Sequence, residues 1–126
     1  MLKEYKTKLA KYLAIAESKK EIRDNVLIVL AGDEIDPDFV SPIATIFAQL
    51  KDVKLVVVGA RDEERTKFSI RNKTNVDVAA IARELAHRYY GEGGGHLEAC
   101  GAKIRSEYER EFVAELASRF SAALRA

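Results

Sequence analysis

Apolar residues form two uninterrupted runs in the first half of this chain, over residues 26–31 and 55–59. Runs of this length that are rich in valine, leucine and isoleucine are typical of strands buried on both faces of a sheet. Between them, Pro37 and Pro42 each follow a polar residue that caps helices, which indicates a helix start. The segment therefore predicts a strand–helix–strand unit. The helix is expected to bury a face formed by Ile43, Ile46, Phe47 and Leu50.

A strict alternation of apolar and polar positions over residues 66–71 predicts a third strand. Phe68 and Ile70 are expected to face a core. The opposite face of this strand carries three polar side chains in a row, those of Lys67, Ser69 and Arg71.

Helical spacing of apolar residues predicts three further helices. The first, over residues 2–20, carries an apolar stripe that needs a partner, either its own domain or a second surface. Asp77 is placed to cap a helix that Gly91 would end. Ser106 and Glu109 have the spacing of a capping box, which predicts the start of a C-terminal helix.

The order of these elements predicts an α/β fold, with a mixed sheet of about four or five strands that is covered by helices. Residues 99–104 are expected to form a short helical turn that leads into the last of these strands. A chain of 126 residues is long enough for one domain, since it can bury roughly two-thirds of the surface that it exposes when unfolded.

Composition places the chain among ordinary globular domains, with 48% hydrophobic and 33% charged residues. The formal net charge is +1, so any basic surface that binds nucleic acid must be local. Cys100 is the only cysteine, which excludes an internal disulfide, and the lysine-rich start shows no signal-peptide pattern. We therefore expect a cytoplasmic location. The longest apolar runs, such as residues 53–60, are too short to cross a bilayer, so no membrane is expected as a partner.

Three consecutive glycines followed by a histidine, Gly93 to His96, are the strongest candidate for chemistry. Glycine runs cost conformational entropy on folding and pack no side chain, but they leave backbone N–H groups open to a ligand. Such N–H groups and an imidazole suit an anion such as a phosphate. The pattern is neither GxxxxGK[ST] nor GxGxxG, since His96 stands where the third glycine of GxGxxG belongs. A flexible turn is the alternative interpretation.

The predicted anion site combines backbone and side-chain donors. The N–H groups of Gly94, Gly95 and His96 would converge on an oxygen at the positive end of the following helical turn. His96 would also add a side-chain donor. Arg71 would make a bidentate contact with the same phosphate, and Ser69 would supply a hydroxyl. The alternative for Arg71 is a salt bridge with a surface carboxylate.

Other reactive residues are interpreted as structural. Cys100 follows the glycines, where a helix N-terminus would lower the pKa of its thiol, but a packed and inert cysteine is the favoured interpretation. His87 is expected on the solvent side of its helix, without a partner at metal-ligand spacing. Asp33, Asp36 and Asp38 lack the spacing of a calcium loop and are interpreted as turn and cap residues.

Four short segments together resemble the DHH-associated domain, which is the C-terminal half of DHH-family phosphoesterases. The segments are residues 69–71 (SIR), 76–78 (VDV), 93–96 (GGGH) and 99–102 (ACGA). The family groups RecJ-like exonucleases, oligoribonucleases and cyclic-dinucleotide phosphodiesterases, and a more distant relative lies at the end of alanyl-tRNA synthetases. The resemblance implies that residues 23–126 form a substrate-binding domain and that residues 1–22 form a connector-like helix.

The resemblance also implies a division of labour between the two halves of such enzymes. A DHH half holds a pair of divalent metals, usually manganese, that activates water, whereas the associated half holds the substrate. Mn²⁺ is therefore expected only in a separate DHH catalytic domain, and no cofactor is expected in this chain. By matching position, the residues that contact phosphate are Gly93, Gly94, Gly95, His96, Arg71 and, as a supporting position, Ser69.

No Asp-His-His triplet occurs in the chain, and its only histidines are His87 and His96. We therefore expect no catalytic residue, no metal ligand and no autonomous hydrolysis. The predicted function is phosphate binding to single-stranded nucleic acid, a short oligonucleotide or a nucleotide, as the accessory domain of a DHH-type hydrolase. One alternative is a protein-interaction or regulatory module, or a homodimer, that docks through the first helix and keeps a vestigial glycine loop. Another is a phosphoesterase that a metal-binding partner chain completes.

Overall fold

The computed structural model describes all of residues 1–126, which form one six-stranded sheet with helices on both faces. The α/β prediction is confirmed, and the sheet is slightly larger than expected. The strands are β1 (Glu21–Arg23), β2 (Val26–Leu30), β3 (Leu55–Asp62), β4 (Arg65–Asn72), β5 (Glu92–Gly95) and β6 (Ala99–Arg105). The helices are α1 (Leu2–Lys19), α2 (Val40–Phe47), α3 (Val78–Arg88) and α4 (Glu109–Arg125). None of them has the length and apolar character that a membrane crossing requires.

The strand order in the sheet is β1-β2-β3-β4-β6-β5. β2 and β3 are parallel and are connected through α2, as the two apolar runs predict. All other neighbouring strands are antiparallel. β2 and residues 55–60 of β3 are continuously apolar because each strand lies between two neighbours and is covered on both faces there. The order leaves β1 at one edge of the sheet and β5 at the other.

The sheet separates two apolar clusters. α3 and α4 pack on one face in a cluster of 17 buried residues, among them Phe68, Ile70 and Phe112. α1 and α2 pack on the other face in a cluster of 14 buried residues, whose sheet residues come from β2 and β3 alone. The second face is therefore open over β6, β5 and the part of β4 that α2 does not cover.

Helix α1 packs on its own domain, so that interpretation of its apolar stripe is confirmed. Ala16 is buried, and Leu9 and Tyr12 pack on the cluster that α2 forms with the sheet. Nearer the start of the helix, the ring of Tyr5 stacks on that of Phe39, with 5.3 Å between the ring centroids. Docking of α1 on a second protein stays a prediction.

The cap predicted for α3 is present, but the one predicted for α4 is not. Asp77 caps α3, since its carboxylate accepts a hydrogen bond from the N–H of Ala80 at 3.1 Å. The capping box predicted for α4 is wrong, because no side chain caps that helix. The Glu109 carboxylate instead accepts a hydrogen bond from the buried Thr66 hydroxyl at 2.6 Å, and the Ser106 hydroxyl lies 3.0 Å from the same Thr66 oxygen. These hydrogen bonds connect the start of α4 to β4 and do not cap the first turn of the helix.

Residues 99–104 belong to strand β6, so the predicted helical turn is wrong. Cys100, Ala102 and Ile104 alternate onto the buried face beneath α3 and α4, while the residues between them face the open side. The prediction that Leu50 lies on the buried face of α2 is also wrong, since that helix ends before it and the side chain is exposed. The three-residue strand β1 has no counterpart among the predictions.

Candidate phosphate-binding site

The glycine run is an edge strand rather than a loop. Residues 92–95 form β5 and pair antiparallel with β6, so neither a flexible turn nor a following helical turn is present. Gly94 and Gly95 have φ angles of +145° and +147°, a region that residues with a side chain rarely adopt. A Cβ on Gly95 would lie 2.6 Å from the carbonyl oxygen of Ala99. The glycines therefore allow an approach of two strands that other residues would prevent.

Only part of the predicted row of backbone amides faces outward. The His96 N–H donates to the Ala99 carbonyl at 2.8 Å, so this amide is not free for a ligand, contrary to the prediction. In an antiparallel ladder hydrogen-bonded pairs alternate with non-bonded pairs, and this register turns Gly94 toward β6. The N–H groups of Gly93 and Gly95 then point outward along the free edge of the sheet.

Strand register arranges the candidate residues in rows across the open face. One row runs from Arg71 on β4 across β6 to His96, just beyond β5. The next row runs from Ser69 across Gly101 to Gly94. Neighbouring strands are about 4.8 Å apart, so the ends of each row are separated by roughly 10 Å. These four candidates therefore share one face within the span of a ligand of nucleotide size, whereas Gly93 and Gly95 alternate onto the other face.

An open groove of about 840 Å³ follows this face between the start of α2 and the edge strand β5. We call it the glycine groove. It brings together three of the predicted residues, Ser69, Gly93 and Gly94, and the Ser69 hydroxyl makes no hydrogen bond within the protein. Arg71 lines an adjoining groove of about 510 Å³, and His96 is exposed outside both grooves. The charged residues that line the glycine groove are Asp38, Asp62, Lys67, Glu92 and Lys103.

Arg71 lies against α2 rather than against a carboxylate, so the salt-bridge interpretation is wrong. Its guanidinium donates to Ser41 Oγ at 2.7 Å, to the Ser41 carbonyl at 3.4 Å, to Thr45 Oγ1 at 3.2 Å and to the Ile70 carbonyl at 3.0 Å. These bonds leave one of the five N–H donors free, so a bidentate contact with phosphate would require one of them to open. Because all of the acceptors are neutral, no carboxylate compensates the positive charge of Arg71.

Two lysines add positive charge to the glycine groove. Lys103 forms a salt bridge with Asp62 at 2.6 Å, and this hydrogen-bonded contact holds the pKa of the Asp62 carboxyl below its ordinary value. Lys67 lies opposite Lys103 in the register of β4 and β6 and makes no ion pair. The sequence predicts no binding role for Lys103, because the pattern of residues 99–104 indicates a helical turn. It predicts no binding role for Ser41 or Thr45 either, since their contact with Arg71 depends on how α2 packs on the sheet.

The residues of this chain do not fit a metal pair. No group of three or more histidine, cysteine, aspartate or glutamate side chains lies close enough together to hold a metal ion. His87 is exposed on α3. Asp36 accepts a hydrogen bond from the N–H of Asp38 at 2.9 Å, so its predicted capping role is confirmed. Asp33 lies 3.6 Å from the guanidinium of Arg61.

The thiol of Cys100 is expected to react slowly with alkylating reagents. The side chain is buried on the core face of β6, and burial raises the pKa of the thiol to about 11. Because the thiolate is the reactive form, iodoacetamide at pH 8 should modify the native protein about 100-fold more slowly than the protein unfolded in urea. Mass spectrometry of the two time courses measures the ratio. Equal rates would contradict the packed and inert interpretation.

The fold is a half-open mixed sheet with a glycine edge strand, and the family comparison identifies its class. The family model of the DHHA1 domain matches residues 14–122. The chain therefore belongs to the DHHA1 domain family, as the four sequence segments indicate. No curated protein matches the chain. The division of the chain at residue 22 stays a prediction.

Solved structures of other proteins share this fold. RecJ from Thermus thermophilus, in complex with Mg²⁺, superposes with a TM-score of 0.72 and 18% identity, over 93% of this chain and 18% of that one. The pGpG-specific phosphodiesterase PggH from Vibrio cholerae gives a TM-score of 0.63 and 15% identity, over 94% of this chain and 40% of that one. The C-Ala domain of Aquifex aeolicus alanyl-tRNA synthetase gives a TM-score of 0.63 and 19% identity, over 78% of this chain and 94% of that one. The chain thus spans less than half of the two larger proteins, and at these identities the likeness shows the fold alone.

Proposed function

We propose that this chain binds the phosphate groups of single-stranded nucleic acid, a short oligonucleotide or a nucleotide, as the substrate-binding part of a DHH-type phosphoesterase. One observation carries the proposal: the open half of the sheet face places the uncompensated charge of Arg71 beside a polar groove that is lined by glycines. A phosphate supplies the negatively charged partner that Arg71 lacks, and its oxygens supply hydrogen-bond acceptors.

Each donor has a distinct position around the bound ligand, which is of nucleotide size or larger. Arg71 provides a charge that α2 holds in place, and Lys67 provides a second charge on the same strand. The unpartnered hydroxyl of Ser69 donates from the floor of the groove. The outward N–H of Gly95 and the imidazole of His96 donate from the edge of the sheet. The ligand approaches this edge closely because the glycines carry no side chain.

Catalysis belongs to a separate part of the assembly in this proposal. The chain spans 18% of RecJ and 40% of the phosphodiesterase PggH, so most of each protein lies outside the shared fold. We assign phosphodiester hydrolysis, and the manganese that it uses, to a DHH catalytic domain that faces the glycine groove. The interaction and partner-completed alternatives stay predictions.

Arg71→Ala and His96→Ala are each expected to weaken the binding of 5′-AMP and of a short single-stranded DNA by about 10-fold or more. A hydrogen bond to a charged group contributes about 1.5–3 kcal/mol, which corresponds to at least a tenfold change in Kd. Titration of ¹⁵N-labelled protein, followed by NMR at the amides of Gly93, Gly94 and Gly95, measures the affinity. Binding to the DNA should also weaken as the salt concentration rises.

Arg110→Ala is the matched control, because it removes an exposed arginine of α4 on the other side of the sheet. It should leave both affinities within about twofold, since charges more than a Debye length away are largely screened. Unchanged affinity in both groove variants would contradict the proposed function. An equal loss in Arg110→Ala would also contradict it, because only the total positive charge would then matter.

A further inference from the structure

Arg83 is an unassigned arginine that lies against the glycine strand from the helix side. It is exposed on α3, and the position of a Cβ on Gly94 would lie 3.2 Å from its Nη2 and 3.4 Å from its Nε. The guanidinium therefore rests beside the backbone of the central glycine. Any side chain at position 94 would compete with it for this space.

The charged neighbours of Arg83 on α3 are already paired. Glu84 accepts a hydrogen bond from Arg119 at 2.8 Å, and Arg88 donates to Glu115 at 2.8 Å. Arg83 itself has neither an ion pair nor a hydrogen bond within the protein. Its charge is thus available at the edge of the sheet, as that of Arg71 is on the open face.

A second groove, of about 430 Å³, lies on this side of β5 and is lined by Arg83 and His87. The two side chains are one helical turn apart and face the same groove. Glu92 and Gly93 line both this groove and the glycine groove, so only the narrow glycine strand separates the two. We call the second groove the Arg83 groove.

The two free charges are too far apart for one phosphate. Arg71 is held by Ser41 and Thr45 of α2, on the face of the sheet opposite α3. Arg83 lies beyond Gly94, which is two strand spacings, or roughly 10 Å, from β4. The donors that share one phosphate must each lie about 3 Å from its oxygens. A ligand that uses both arginines therefore carries at least two phosphates.

We propose that the Arg83 groove is a second phosphate subsite. The ligand is then a nucleotide chain with at least two phosphates, which crosses β5 from the glycine groove. This inference rests on the proposed function, since the first phosphate occupies the glycine groove. The glycines of β5 let the nucleotide chain cross the edge of the sheet, and Arg83 binds the next phosphate by a charge-assisted contact. The carboxylate of Glu92, which lines both grooves, opposes the ligand.

The test compares a ligand that has one phosphate with a ligand that has two. The 126-residue chain is titrated with 5′-AMP and with the 5′-phosphorylated dinucleotide pApA, by NMR at the glycine amides. Arg83→Ala is expected to weaken pApA binding about 10-fold and to leave 5′-AMP binding within about twofold. Glu92→Gln is expected to strengthen pApA binding severalfold. Arg88→Ala, on the same helix but paired with Glu115, is the control and should change neither affinity.

The outcomes separate this inference from the proposed function. If Arg83→Ala weakens the binding of both ligands equally, or of neither, the second subsite is rejected. A loss of 5′-AMP binding in Arg71→Ala would still support the proposed function in that case. If neither ligand binds the unaltered chain, the proposed function fails and this inference fails with it. Inorganic tripolyphosphate is titrated in parallel, and binding as tight as that of pApA would overturn the assignment to a nucleotide strand.

Discussion

Phe112→Ala is expected to lower the free energy of unfolding by about 3–5 kcal/mol. The Phe112 side chain is completely buried between α4 and the sheet, and its ring centroid lies 4.8 Å from that of Phe68. Truncation removes these contacts and leaves a cavity that the paired strands cannot close by relaxing. Urea unfolding, followed by circular dichroism, measures the change as a shift of the midpoint at constant slope.

The control for this substitution lies further along the same helix. Leu124 is near the C-terminus of α4 and 38% of its surface is exposed, so Leu124→Ala should cost no more than about 1 kcal/mol. A similar loss in both variants would mean that Phe112 does not anchor α4 to the sheet. A large loss in Phe112→Ala alone would support the packing that places β4 and β6 beneath the glycine groove.

The centre of the fold is predictable because its strands are buried from both sides. In β2 and β3 every position that faces a helix layer must be apolar, so the sequence shows an unbroken run. The alternation in β4 predicts that strand equally well, since Phe68 and Ile70 enter the core while Lys67 and Ser69 face the open side. These strands and the helix between β2 and β3 follow from local pattern alone.

The edge of the sheet is not predictable in the same way. β5 contains three glycines and no apolar side chain, so it has no hydrophobic period and becomes a strand only by pairing with β6. β6 does alternate, but Ala102 and Gly101 are too small for the alternation to stand out from a helical turn. The glycine run therefore indicates the place of the site correctly in the sequence but not its backbone structure.

The surroundings of Arg71 depend on tertiary structure as well. Its alternation with Ile70 predicts which face it occupies, and the register confirms that it lies opposite Ala99. Its hydrogen bonds to Ser41 and Thr45 join residues 26 or more positions apart, which no local pattern encodes. These hydrogen bonds fix the position of the Arg71 guanidinium, whose partners the sequence pattern does not identify.

Gly91→Ala is expected to cost about 3 kcal/mol of stability, at the upper end of what overpacking usually costs. Gly91 lies between α3 and β5, where a Cβ would be 1.9 Å from the Lys103 carbonyl oxygen and 2.7 Å from the Ile104 Cα. Both atoms belong to the backbone of β6, which is paired on both sides, and cannot rotate away. The end of α3 must therefore move off β6, and β5, which begins at the next residue, must move with it.

Gly32→Ala is the matched control for this substitution, because it introduces the same methyl group without a contact. Gly32 has a φ of +59° and nothing within 4 Å of its Cβ position, so alanine there costs only the strain of the left-handed region, about 1–2 kcal/mol. The excess loss in Gly91→Ala, measured by urea unfolding, reports the close approach of α3 to β6. Gly91→Ala should also shift the NMR signals of Gly93 and Gly94 and weaken 5′-AMP binding, whereas Gly32→Ala should do neither. Equal stability of the two variants would show that α3 and β6 are not in contact at this point, and the position of β5 beside Arg83 would then lose its structural basis.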